Sequence, residues 1–357
     1  MHFKIAALAT AALAGSALAQ SGNSITDLIG SNSDLSTLAA LLTNGTFGNF
    51  SSITTTLSNS TNGNWTIFAP SNSAFEGVQI TNNTDLSSIL SYHIVNGTHE
   101  ASSFNSGANI VATNLTNSTY DMFPSGGVPV NVMVSGKNVA VYHGVDYANV
   151  TSADNSASNG VVHIINAVLM PPMSVNNTAL QAKLDKFVNA LNSTNSTDGI
   201  NSKKGITIFA PNDDAFSSAD LSKFNSSQLA NILAYHVVEG LWFSSNLTNM
   251  TSPMNITTEA GSNLTIDASS ASSVKLTDTS GNETAHIVKT DILTDNGVIH
   301  IIDTVLIPAV NASSVPTNST NITNSQSGVG SLIYGNNDVS LVAVSLTVMS
   351  ALFALML

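Results

Sequence analysis

Between residues 24 and 309 the chain runs through one ordered set of hydrophobic patterns, and it runs through it twice. Apolar residues three and four apart in "DLSTLAALLT" (34–43) and "TALQAKLDKFVNALN" (178–192) predict an amphipathic helix at the start of each half. A short apolar run follows, 65–68 or 206–209, and Pro70 or Pro211 ends it as a strand. Ser71 and Asn212 then stand where helix caps stand, with Asp213 and Asp214 suited to the positive end of the second helix. "DLSSILSYHIV" (85–95) and "SSQLANILAYHVV" (226–238) begin at helical spacing and pass into strand-like runs. Polar–apolar alternation in "PVNVMVSG" (129–136) and "NLTIDA" (263–268) predicts further strands. "DNSASNG" (154–160) and "DILTDNG" (291–297) read as loops leading into the closing strands "VVHIINAVLMP" (161–171) and "VIHIIDTVLIP" (298–308). Helices first and strands later, without regular alternation, predict an α+β domain around a largely antiparallel sheet.

The repetition is literal in places. "TIFAPSNSAF" at 66–75 returns as "TIFAPNDDAF" at 207–216, "SYHIV" at 91–95 as "AYHVV" at 234–238, and "NGVVHIINAVLMPP" at 159–172 as "NGVIHIIDTVLIPA" at 296–309. Order is kept and spacing nearly so, which predicts two homologous domains at 24–170 and 171–309, joined across Pro171-Pro172 with no long linker.

The two ends change the picture from architecture to address. His2 and Lys4 precede the apolar run 5–18, and Ala17-Leu18-Ala19 has the small-x-small form of a signal peptidase site, so residues 1–19 read as a signal peptide. Residues 339–357 form an apolar tail, and the Ser/Thr/Asn-rich stretch 310–338 before it reads as a glycosylated stalk. Ser325, Ser327 and Gly328 are small residues at the right distance to accept a glycosylphosphatidylinositol (GPI) anchor, with the tail cleaved on attachment. The chain carries 21 Asn-x-Ser/Thr sequons, among them Asn44, Asn64, Asn82, Asn96, Asn149, Asn176, Asn225, Asn246, Asn282 and Asn311. They point the same way, to the secretory pathway and the extracellular face of the plasma membrane or the cell wall.

Composition narrows the function. Cysteine is absent, so each domain has to be stable through its core alone. The formal net charge is −13, only 9% of residues are charged and none is arginine, which excludes nucleic acid as a partner. No Gly-x-Ser-x-Gly elbow, phosphate loop, dinucleotide fingerprint or His-Glu-x-x-His appears, so the chain reads as a non-enzyme without cofactor.

Four histidines recur in register: His93 with His236, each preceded by a tyrosine (Tyr92, Tyr235), and His163 with His300 in the closing phrases. A zinc site wants three or four converging ligands, and no duplicated carboxylate keeps a fixed offset to these rings, since Asp303 is matched by Asn166. Buried structural histidine is the favoured reading, with contact to a protein or glycan as its alternative. Asp291 and Asp295 offer a weak calcium reading that an Asx-turn explains more simply.

The opening phrase, the Tyr-His pair and the closing phrase, in that order and twice over, resemble the signature stretches of the fasciclin (FAS1) family. The resemblance covers nearly all of the chain between its end signals and is closest in type to fungal GPI-anchored members. It implies two tandem fasciclin-like domains, each a wedge-shaped antiparallel β-sandwich with packed helices. It also implies cell-cell or cell-matrix adhesion, with cell-surface or wall glycans and proteins as partners and the membrane reached through a lipid anchor. In animal members the stretch around the Tyr-His pair is associated with integrin binding; Tyr92-His93 and Tyr235-His236 are the matching residues, in a neighbourhood poor in basic side chains. A structural wall glycoprotein without specific recognition is the alternative, and a wall-polysaccharide hydrolase a remote one.

Overall fold

The computed structural model describes residues 23–43, 50–58, 64–78, 85–124, 126–268, 274–278, 281 and 283–308. Two tandem domains result, each a seven-stranded sheet flanked by helices.

The first domain opens with α1 (Ile25–Ser31), α2 (Ser36–Thr43) and α3 (Ser51–Ser58). Ser24 caps α1 in a capping box: its Oγ accepts from the Asp27 N–H, and the Asp27 carboxylate accepts from the Ser24 N–H at 3.0 Å. Strand β1 (Trp65–Pro70) leads through a 3₁₀ turn to α4 (Leu86–Tyr92), capped by Asp85, and then to β2 (Ile94–Asn96). The remaining strands are β3 (Gly107–Ala112), β4 (Pro129–Ser135), β5 (Asn138–His143), β6 (Asp146–Ala157) and β7 (Gly160–Ile165).

The second domain repeats this with α5 (Val175–Gln181), α6 (Asp185–Ser193), α7 (Thr197–Asn201), β8 (Ile206–Pro211), α8 (Asp213–Ser218), α9 (Ser226–Tyr235) and β9 (Val237–Glu239). A short α10 (Ser244–Thr248) precedes β10 (Met254–Thr257), β11 (Asn263–Asp267), β12 (Lys275–Asp278), β13 (Thr284–Leu293) and β14 (Gly297–Ile302). Asn212 caps α8 by accepting from the Ala215 N–H at 2.7 Å. The helix expected over 178–192 is two helices. Lys183 takes a left-handed φ of 63°, and the Leu184 N–H reaches back to the Ala179 carbonyl, the closure of a Schellman-type cap.

Strand order is β2-β1-β7-β6-β5-β4-β3 in the first domain and β10-β11-β12-β13-β14-β8-β9 in the second. All neighbours are antiparallel except β1 with β7 and β8 with β14. Those four strands are apolar almost throughout, the pattern of strands covered on both faces. Gly160 and Gly297 permit the close pairing, because a Cβ at either would overlap the carbonyl of Trp65 or Ile206. Single bridges, Val95 to Thr113 and Val238 to Thr258, bring the outermost strands of each order together, so each sheet closes into a near-barrel.

Residues 154–157 and 291–293, expected as loops, are strand. Strand β6 pairs with β5 up to Asn149 and with β7 from Val150, through two register shifts. Strand β13 does the same between β12 and β14. At the bulges Asp154 and Asp291 adopt φ of 59° and 58°, and these extra residues erase the alternation by which a strand is recognised. The bulges bend each sheet and give it two cores, one under the helices around Ile67 and Ile208, the other around Phe68 and Phe209.

The domains belong to one compact unit. Leu241 and Phe243 of the second pack with Ile110 of the first, and Val145 of the first packs against the second domain's core. The Met122 N–H donates to the Asp295 carbonyl at 3.2 Å, and the Gln181 amide donates to Asp146 at 2.6 Å.

Candidate functional site

The Tyr-His pairs sit where a helix gives way to a strand. His93 and His236 are the C-cap residues of α4 and α9, with φ near −90° and ψ near 0°, and their own N–H groups bond back into the helix. The preceding tyrosines are wholly buried: Tyr92 donates its hydroxyl to the Pro129 carbonyl at 2.9 Å and Tyr235 to that of Asn263 at 2.7 Å. Each therefore pins the helix end to the far half of its sheet.

Both imidazoles are buried and bonded at both nitrogens. His93 Nδ1–H donates to the Ile89 carbonyl at 2.7 Å, and Nε2 accepts from the Leu169 N–H at 2.9 Å. His236 copies this with Ile232 at 2.7 Å and Leu306 at 3.0 Å. Two backbone partners of opposite kind fix the neutral Nδ1–H tautomer. Burial pushes both rings down to a pKa of about 4, against the partial counter-effect of the helix carbonyl.

His163 and His300 lie on the central strands, opposite Phe68 and Phe209 in the parallel register, and stack on those rings at 5.6 and 5.7 Å between centroids. Their tautomer is the other one. Nε2–H donates to the carbonyl of His99 at 2.8 Å or Trp242 at 2.7 Å, while Nδ1 accepts from the N–H of the bulge residue Asp154 at 3.2 Å or Asp291 at 3.3 Å. Burial lowers both pKa values, with the bulge carboxylates acting in the opposite direction. Neither nitrogen of any of the four rings is left to ligate a metal or carry a proton to solvent.

The bulge aspartates complete the arrangement. Asp154 Oδ1 accepts from the Ala101 N–H and Asp291 Oδ1 from that of Ser244, each at 2.8 Å; Asp291 also accepts from the Ser244 hydroxyl. Asp154 stands nine residues before His163 and Asp291 nine before His300, so a duplicated carboxylate does keep a fixed offset to these rings, which corrects the reading from sequence. Asp291 is thus occupied by α10. Asp295 lies on the β13–β14 turn with one carboxylate oxygen buried and unpartnered, and burial raises its pKa to about 6. Among the described residues no group of three or more metal-ligating side chains converges.

Of the sequons, Asn64, Asn96, Asn149, Asn225 and Asn246 are exposed. Asn225 caps α9 through Oδ1, which leaves its amide nitrogen outward. Asn176 is half-buried beside the buried Thr178. Asn44, Asn82, Asn282, Asn311 and the anchor candidates Ser325, Ser327 and Gly328 lie outside the described residues. Among the described residues no helix is long and apolar enough to cross a membrane.

A duplicated near-barrel whose repeated histidines all serve the backbone defines a two-domain structural scaffold. The family model of the fasciclin domain matches residues 33–171 and 182–308, and the chain belongs to that family. It is 29% identical to a fasciclin-like arabinogalactan protein of Arthroderma benhamiae over 69% of this chain and 59% of the relative. Another fasciclin-like arabinogalactan protein, from Phaeosphaeria nodorum, is 25% identical over 80% of this chain and 89% of the relative. Human periostin is 26% identical over 69% of this chain and 28% of its own length. The chain thus spans well under two thirds of some of its curated relatives. Among solved structures, a domain pair from the insect cell adhesion molecule fasciclin I matches at 21% identity and a TM-score of 0.36, over 68% of this chain and 88% of that one.

Proposed function

We propose that this protein is a glycosylated, GPI-anchored surface protein whose two fasciclin domains mediate cell-cell or cell-matrix adhesion. The observation that carries the reading is the burial of all four repeated histidines and both tyrosines: the Tyr-His motif holds the scaffold, and recognition belongs to the outer surface. Exposed sequons and membership of a family that includes surface and matrix proteins support the same display format. Individual contacts of such modules are weak, and many anchored copies supply avidity.

Two measurements test it. Phosphatidylinositol-specific phospholipase C applied to intact cells is expected to release the protein without residues 339–357; a mature product that retains them overturns the anchor. Deleting the gene is expected to reduce attachment to neighbouring cells or surfaces. Normal attachment with altered wall sensitivity instead favours a structural wall glycoprotein.

A further inference from the structure

We infer that the first domain binds a small, uncharged, mainly aliphatic alcohol in the cleft between α1, α2 and α3. The cleft measures about 240 Å³ and has Ile29 and Leu42 for a floor. A second, smaller apolar pocket shares Ile29 and Leu42 with it and is lined further by Leu38, Ile53, Ile67 and Leu90. A dry engineered cavity of about 150 Å³ takes up benzene, so the space suits a chain of roughly eight carbons.

The rim fixes the polarity of the head group. It is formed by hydroxyls, and their protons are largely committed to their own helices. Thr43 donates to the Ala39 carbonyl at 2.8 Å, Thr54 to that of Phe50 at 3.1 Å and Ser58 to that of Thr55 at 3.2 Å. The lone pairs of these three hydroxyls accept from a ligand hydroxyl and repel a carboxylate; Thr26, bonded to Ser24 Oγ at 2.8 Å, and Thr55 complete the rim. No cation offsets that preference: the described part of the first domain has one lysine, Lys137, on the β4–β5 turn, and no arginine. The nearest acidic side chain on α1, Asp27, is committed to the helix cap.

The second domain carries larger side chains at the corresponding rim positions. Ser24 and Ser174 are the N-caps of α1 and α5, and the buried Leu35 and Leu184 align the helices that follow. On this alignment Leu180 stands for Gly30 and Val188 for Ala39, the two small residues of the rim. Gly30 has no left-handed backbone to justify it, and a Cβ built there meets nothing within 4 Å. Glycine inside a helix is destabilising relative to alanine. Its place at the mouth has a reason if the space above it is used.

The test uses the full secreted chain with octan-1-ol as probe and octanoate as control, read by ligand-observed NMR and by the thermal midpoint. Expected are saturable octan-1-ol binding with a raised midpoint, octanoate weaker by at least tenfold, and Gly30→Ala binding like the parent. Gly30→Leu and Ala39→Val, which install the second domain's residues, are each expected to weaken binding at least tenfold in folded protein. Because the two substitutions are independent, failure of one to fold leaves the other decisive. Absence of saturable binding, equal binding of octanol and octanoate, or undiminished binding in a folded rim variant overturns the proposal.

Discussion

The imidazole of His300 lies on the ring of Phe209, 24° from parallel, and the two residues face each other across adjacent parallel strands. Phe209 belongs to the repeated opening phrase and His300 to the repeated closing phrase, so the two most conspicuous stretches of each repeat are two sides of one contact. The first domain repeats it with Phe68 and His163.

Replacing His236 with alanine leaves the Ile232 carbonyl and the Leu306 N–H without their buried partner. A loss of about 2–6 kcal/mol is expected, from ~1–3 kcal/mol for each orphaned group. Thermal unfolding of the secreted chain measures it, and an unchanged midpoint together with lost adhesion would assign the residue to recognition instead.

The same histidine sets an acid limit. Its folded pKa of about 4 lies below the reference value of 6.5, so the unfolded chain takes up the proton first. Stability is full above pH 6.5 and falls as pH drops toward 4, by about 3 kcal/mol for a shift of this size. Denaturant midpoints across that window are expected to decline, and to decline less steeply in His236→Ala, which has one such proton fewer to bind.

Asp295 has the opposite sign. Its folded pKa of about 6 is raised above the reference 3.8, so the folded state holds the proton longer, and the stability this gives is lost as pH rises from about 4 to 6. Asp295→Asn is expected to raise the thermal midpoint at pH 7 and to leave it nearly unchanged near pH 4. A variant less stable than the parent at pH 7 would show that the ionised carboxylate has a favourable partner.

Leu241 and Phe243 join the two domains. Leu241→Asp places a charge in that apolar contact, and calorimetry is expected to resolve one unfolding transition into two. A single transition with an unshifted midpoint would mean that the interface contributes little.

The repeats, their order and the helix-then-strand plan were legible because each rests on local periodicity or on literal recurrence. The bend in each sheet was not. Asp154 and Asp291 sit in stretches rich in Asn, Ser, Gly and Asp, which spell a turn to any local rule, and only pairing with two different neighbours makes them strand. The break at Lys183 was hidden for a related reason: the apolar spacing continues across it, and the left-handed residue carries no glycine to announce it. The histidines could be paired from sequence, yet which nitrogen carries the proton depends on carbonyls and N–H groups up to 76 residues away. The domain interface did leave a trace. Leu241 and Phe243 flank Trp242, while their counterparts around His99 are the exposed Thr98 and Glu100. The apolar version of the repeat marks the covered face.

The parallel pairing of β1 with β7 also sets a clock. Trp65 meets Gly160, a residue made 95 positions later, and nothing nearer in the chain can fill that edge. At roughly 5–20 residues per second of synthesis, the first sheet stays incomplete for on the order of 5–20 s. Strand β1, apolar almost throughout, spends that interval with its β7 edge unpaired. A nascent chain of this design keeps an apolar strand edge open for as long as its final strand is unmade.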